Sequence, residues 1–278
     1  MKCKRGLVIL AATTLLMMIL TGISFCAKEK QQWRLKAAEA DIRLSEAHRQ
    51  IKDQEQAEIV SVPQKTVIAL DPGHQGPGVD MSGMEENSPG SGVMKQRNNS
   101  GTAGRYSGLA EYQLNLDIAL KVRERLSERG YDVVMSREDN ETAASNQDRA
   151  RQANESGALL CVRIHANGSE SPESSGALCL IASKENPTAG SLYDESSKLA
   201  ADLLQSYCES TGFENRGIQI NDTMTGINWS KIPVVILEMG FMTNEREDML
   251  MADEDFQEKM ADGIAQGIEK YCAERDRF

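Results

Sequence analysis

Basic side chains are in the minority in this sequence. Its 278 residues carry 31 lysines and arginines against 42 aspartates and glutamates, a formal charge of −11. That balance argues against a nucleic-acid partner, because phosphate binding needs a face of clustered positive charge. Paired cysteines are missing as well. The six cysteines, Cys3, Cys26, Cys161, Cys179, Cys208 and Cys272, form no C-x-x-C, so a thiolate zinc site or redox motif has no local support. Cys161 and Cys179 fall in apolar runs and read as small buried hydrophobes. Neither H-E-x-x-H nor G-x-S-x-G occurs, which removes the local signatures of zincin proteases and α/β-hydrolases. Histidine is scarce: His48, His74 and His165 are the only three.

What is present is enough for a packed domain, with 40% hydrophobic and 26% charged residues. Three segments separate. In residues 1–27, Lys2, Lys4 and Arg5 precede the uncharged run Gly6 to Cys26. At about 1.5 Å per residue that run is long enough to cross a hydrocarbon layer of about 30 Å. The basic flank places the amino end in the cytoplasm and the rest outside. A cleaved signal segment and a lipid anchor on Cys26 compete with this reading, and bulky Phe25 fits both poorly. The expectation is an uncleaved transmembrane anchor in the cytoplasmic membrane. Residues 28–63 are polar and rich in helix formers. Trp33, Ala37, Ala40, Leu44, Ala47 and Ile51 recur at steps of four and three, a short seam with three alanines. A helical stalk is expected, with weak self-association as the most that seam supports. His48 lies on it as a surface residue.

Residues 64–278 alternate strand-like and helix-like patterns, the mark of an α/β domain. Strands are expected over Thr66 to Asp71, Tyr131 to Ser136, Ala158 to Ile164, Ala177 to Ala182 and Ile232 to Leu237. Helices are expected over Glu111 to Arg129, through Ala150 and Ala153 to Gly157, from Ser191 to Ser210, and from Phe256 to Cys272. Between His74 and Glu111 lies a long stretch rich in Gly, Ser, Pro and Asn. Its composition predicts a mobile segment that either borders the substrate groove or is a plain surface insertion.

The unusual polar residues fall at strand ends. His74 follows the first strand, His165 the strand Ala158 to Ile164, and Glu238 the strand ending at Leu237. In an α/β sheet such positions converge on one edge, where ligands bind. Glu111, opening the helix after the long stretch, can reach the same edge. Two histidines and a carboxylate with an open position make a catalytic zinc set, and a further carboxylate can move protons. Spacing alone leaves bland readings open: hydrogen-bonded structural histidines, a Glu111 that merely favours its helix start, and a salt-bridged Glu238.

The local sequences go further. Val67-Ile-Ala-Leu-Asp-Pro-Gly-His74, Glu111-Tyr-Gln-Leu-Asn-Leu116, Val162-Arg-Ile-His-Ala-Asn167 and Glu238-Met-Gly-Phe-Met-Thr-Asn244 stand in this order. Together they resemble the motifs of the zinc-dependent N-acetylmuramoyl-L-alanine amidases, amidase type 3. Ser136-Arg137, Arg149 with Ala153-Asn154, Asn215-Arg-Gly217 and Pro233 add to the likeness, which runs from about Val67 to Cys272. The resemblance implies a single α/β domain with a mixed, largely parallel sheet flanked by helices. It implies His74, Glu111 and His165 as zinc ligands, Glu238 as the catalytic residue, and Asn167 and Arg216 as substrate contacts. Glu85 and Glu86 compete with Glu111 as ligand, but only Glu111 is followed by Asn115-Leu116 and a helix. The implied reaction is zinc-assisted hydrolysis of the peptidoglycan amide between N-acetylmuramic acid and L-alanine, outside the cytoplasmic membrane. A non-catalytic wall-binding module would lack one of the four site residues; a zinc peptidase or deacetylase would share the metal and the base. No wall-binding repeat is recognisable, so location is expected to rest on the amino-terminal segment.

Overall fold

The computed structural model describes residues 2–61 and 65–275, with the side chains of residues 2–13, 15, 19 and 53–61 outside the described set. It divides the chain into residues 1–64 and 65–278. The first unit is one helix, α1, Lys2–Ser61. Trp33, Leu44 and Ile51 of the expected seam are exposed on it, as is His48. The transmembrane segment expected over Gly6 to Cys26 is not supported. Among the described residues no helix is long and apolar enough to cross a membrane. Residues 6–13, 15 and 19 of that run lie outside the described side chains.

The second unit is built on a six-stranded sheet. Its strands are β1 (Val67–Pro72), β4 (Asp132–Met135), β5 (Leu160–Asn167), β6 (Ala177–Ile181), β7 (Asn215–Ile220) and β8 (Val234–Phe241), in the order β4-β1-β5-β8-β6-β7. All neighbours are parallel except β6, which runs antiparallel to β8. The mixed, largely parallel sheet is thus present. The central strands alternate between two apolar faces, as period-two geometry requires. Leu160, Val162, Ile164 and Ala166 of β5 pack with helices α2 (Glu111–Glu128), α4 (Tyr193–Thr211) and α7 (Glu254–Arg275), through Leu114, Ile118, Leu203 and Ile264. Cys161, with Ala69 and Ile236, faces the other side, against Ala153 of α3 (Asn146–Glu155) and Ile227 of α5 (Thr225–Asn228). Cys161 and Cys179 are buried and free, and burial pushes the Cys161 thiol up to about 12, so it is inert.

Several elements differ from the sequence reading. Strands β5 and β8 run past their apolar stretches, so His165 and Glu238 lie inside strands rather than after them. The long stretch holds a small hairpin, β2 (Met84–Glu86) with β3 (Met94–Gln96), and is not loose. Asp248, in α6 (Glu245–Met251), accepts hydrogen bonds from the Tyr106 and Ser107 backbone N–H groups at 2.7 and 3.0 Å. The Trp229 indole N–H donates to the Glu86 carbonyl at 2.9 Å. Polar contacts thus tie the stretch to distant parts of the chain.

The turn after β1 is held by buried charge. Arg149 donates to the carbonyls of Pro72 at 2.7 Å and His74 at 2.8 Å, and pairs with Asp71 at 2.7 Å. Arg137 donates to the carbonyls of Pro72 and Gly73, each at 2.9 Å. Burial alone would push the Asp71 carboxyl up, but Arg163 and Arg149 outweigh it and hold the group well below the usual carboxylate range. Removing one partner of such a buried set strands the other, at a cost of about 3–5 kcal/mol. Arg149→Met is therefore expected to lower the unfolding free energy by about that amount in urea titration. A loss below about 1 kcal/mol would mean the turn does not depend on this arginine.

Candidate active site

Three side chains converge at the sheet edge. His74 sits in the turn after β1, Glu111 opens α2, and His165 projects from β5. Their ligating atoms all lie within 4.8 Å of one another. His74 Nε2 is 3.1 Å and His165 Nδ1 3.3 Å from Glu111 Oε1. The two rings meet edge to face, centroids 4.8 Å apart. His74 has a φ of 61°, a left-handed conformation uncommon outside glycine and found where surrounding structure over-determines the backbone. The Arg149 hydrogen bond to its carbonyl supplies that hold. On the ring's far side, Nδ1 donates to the Asn99 carbonyl at 3.2 Å, which orients the ring and turns Nε2 towards Glu111.

Glu111 is buried and surrounded by donors. Its carboxylate accepts from the Thr102 N–H at 2.9 Å, the Ala166 N–H at 3.2 Å and the Asn115 amide at 3.4 Å. Burial pushes its pKa up, but the hydrogen bonds and charges of His165 and His74 win and keep it ionised far below its ordinary range. Burial draws the His165 pKa down, which favours the neutral imidazole. A buried carboxylate and two imidazoles with aimed nitrogens are the donor set zinc selects, so these residues fit such an ion. Gly101 is required beside them, because a Cβ there would lie 2.4 Å from Glu111 Oε2.

Glu238 faces the same space from β8, in register with His165. No ion pair or hydrogen bond holds its carboxylate among the described residues, so the salt-bridged reading fails. Burial, then the negative charge of Glu111, raises its pKa to about 8. The four residues line one open cleft of about 570 Å³ together with Asn167, Thr102, Arg105 and Glu170. Asn167 is part of the cleft lining. Arg216 does not line this cleft: it donates to the Ser175 carbonyl at 3.0 Å and stacks on Phe241 at 5.3 Å. Its motif sits on β7, at the far edge of the sheet from β1. Glu85 and Glu86 are elsewhere, accepting from the backbone N–H groups of Gln147 and Gly92. Thr102 and Arg105 were missed because loop composition gives no sign of which residue turns inward.

The comparisons with known proteins agree with this geometry. The Amidase_3 family model, described as N-acetylmuramoyl-L-alanine amidase, matches residues 68–270. The protein YqiI of Bacillus subtilis is 30% identical over 172 residues, 62% of this chain and 78% of its own length. The germination-specific N-acetylmuramoyl-L-alanine amidase of Bacillus subtilis is 28% identical, over 75% of this chain and 81% of that protein. Among solved structures, the amidase Ami1 of Mycobacterium smegmatis superposes with a TM-score of 0.68 at 27% identity, covering 75% of this chain and 97% of that one. With its ordered motifs, its sheet and its converging side chains, this chain belongs to the Amidase_3 family of N-acetylmuramoyl-L-alanine amidases.

Proposed function

We propose that the chain hydrolyses the peptidoglycan amide between the lactyl group of N-acetylmuramic acid and L-alanine, on the outer side of the cytoplasmic membrane. His74, Glu111 and His165 would hold zinc, and Glu238 would move the protons. The observation that carries this reading is the meeting of three preorganised ligand side chains with an unpaired carboxylate in register beside them. Bound there, zinc supplies Lewis acidity, polarising a carbonyl oxygen and making water acidic near neutral pH.

The chain's own groups do the rest. The Asn99 carbonyl and the Thr102 N–H keep His74 and Glu111 in place, so little reorganisation accompanies the reaction. Glu238 takes a proton from the attacking water on its carboxylate and gives it to the departing nitrogen of L-alanine. In the metal-free protein burial, and then the Glu111 anion, favour its neutral form. Beside a dication it faces net positive charge, which favours the ionised form a base requires. Asn167 lines the cleft as a substrate contact.

These assignments have four measurable consequences. His165→Ala should lower zinc content well below about one per chain, whereas His48→Ala, on α1, should leave it unchanged; equal losses would contradict the ligand set. Deleting Met81 to Thr102 should also lower zinc content, because it removes both the Asn99 carbonyl and the Thr102 N–H. Full zinc content after that deletion would show that these supports are dispensable. Glu238→Gln should abolish release of soluble wall fragments while zinc stays bound, and retained turnover would assign the proton to another group. The same variant has a pH signature in metal-free protein. A carboxyl whose folded pKa is raised binds extra protons in the folded state, so its contribution to stability falls as pH rises from about 5 to about 8. Over that window the stability of Glu238→Gln should gain on wild type, and a constant difference would refute the raised pKa.

A further inference from the structure

Helix α1 carries an apolar seam that nothing in the catalytic chemistry uses. From Leu20 to Lys52 every side chain on it is exposed. Trp33, Leu44 and Ile51 stand in water, Trp33 to 73%. Single helices owe little of their stability to propensity and most of it to burying one face. The steps from Trp33 through Ala37, Ala40, Leu44 and Ala47 to Ile51 alternate four and three, the repeat that two coiled helices bury against each other. In heptad lettering Trp33, Ala40 and Ala47 take position d, and Ala37, Leu44 and Ile51 take position a. Leu35 and Ile42 are exposed too, but they lie at f, on the opposite face. That row runs into Lys28 and Arg49, so it forms no second seam.

The charges beside the seam indicate what covers it. Positions e and g flank the a/d stripe and set the choice and direction of the partner. Glu29, Lys36 and Arg43 occupy g, and Arg34, Asp41 and His48 occupy e. When two copies run parallel and in register, each g residue faces the e residue of the next heptad in the other copy. Glu29 then meets Arg34, and Lys36 meets Asp41, so opposite charges face each other on both sides of the pair. Arg43 with His48 adds no such pair. Antiparallel pairing of the same seam would set Lys36 against Arg43 and Asp41 against Asp41. The Lys36 ammonium lies over the Trp33 ring, 5.9 Å from its centroid, which keeps that charge at the margin of the seam. Lys30, at the a position before Trp33, is the kind of polar residue that fixes strand number and register at a cost in stability.

We propose that α1 pairs with the α1 of a second copy of this chain as a parallel, two-stranded coiled coil over Cys26 to Ile51. The seam is short and holds three alanines, so the pairing is weak and depends on concentration. Its register has a chemical marker. Cys26, exposed and free, falls at d one heptad before Trp33. Packed helix axes lie about 8–10 Å apart and Cα atoms about 2.3 Å off each axis, so the two Cys26 Cα atoms would approach to about 5 Å. A disulfide bridges that distance. In an antiparallel pair of the same seam they would lie more than about 40 Å apart.

The test uses the full-length chain. Sedimentation velocity should show monomer at about 1 μM and mostly dimer at about 100 μM. Leu44→Asp should weaken dimerisation at least about tenfold, whereas Ile42→Asp, a similar change on the opposite face, should leave it unaltered. Lys36→Asp brings like charges together and should weaken it about threefold, less so at high salt, and adding Asp41→Lys should restore it. With Cys3 and Cys208 replaced by serine, mild oxidation should join the chains through Cys26, and Cys26→Ser should abolish the link. A dimer that forms without that cross-link, or equal losses in Leu44→Asp and Ile42→Asp, overturns the parallel seam. A chain that stays monomeric at about 100 μM overturns it as well; if that chain sediments with liposomes of anionic phospholipid, the exposed apolar residues belong to a bilayer instead.

Discussion

Two buried arginines hold three consecutive carbonyls, and the site depends on that grip. Arg137 and Arg149 together donate to the carbonyls of Pro72, Gly73 and His74, where the chain leaves β1 and leads to the converging side chains. Arg137 also donates to the Tyr112 carbonyl at 2.7 Å, which ties the first turn of α2 to the same cluster. One side chain thereby fixes the distance between the backbones that carry His74 and Glu111. The left-handed His74 conformation would relax without this restraint. Burial and the neighbouring Arg149 charge draw the Arg137 pKa down to about 10, still well above neutral, so the clamp stays charged.

The same cluster divides labour between two carboxylates. Glu111 is wrapped in N–H donors and imidazoles and stays ionised, whereas Glu238 has no donor and is pushed towards its neutral form. Their environments set their pKa values apart, so that two carboxylates facing one cleft hold different protonation states. The β5–β8 register brings the second carboxylate level with His165 without any loop. Rigid strands, rather than flexible connections, therefore set the distance between His165 and Glu238.

Much of this was legible in the sequence, and what was not has physical reasons. The buried strands and long helices announce themselves through apolar period, and the four ordered motifs carry the candidate site. The ends of β5 and β8 were misread because a polar residue after an apolar run signals a strand end. Here His165 and Glu238 pair with each other across the ladder and face a cleft, so the strands continue. Strand β7 escaped notice as an edge strand with no buried residue. The stretch before Glu111 looked mobile because its order comes from polar partners such as Asp248, far along the chain. Arg163 showed only as an exception in an apolar run, since its partner Asp71 lies on another strand.

Which bond is cut decides the whole account. Purified wall sacculi digested with the zinc-loaded protein should yield stem peptides whose amino termini are newly exposed L-alanine, with glycan strands left intact and acetylated, as read by mass spectrometry of the soluble fraction. Cleavage within the stem peptide, or release of acetate with the muramoyl amide untouched, would contradict it.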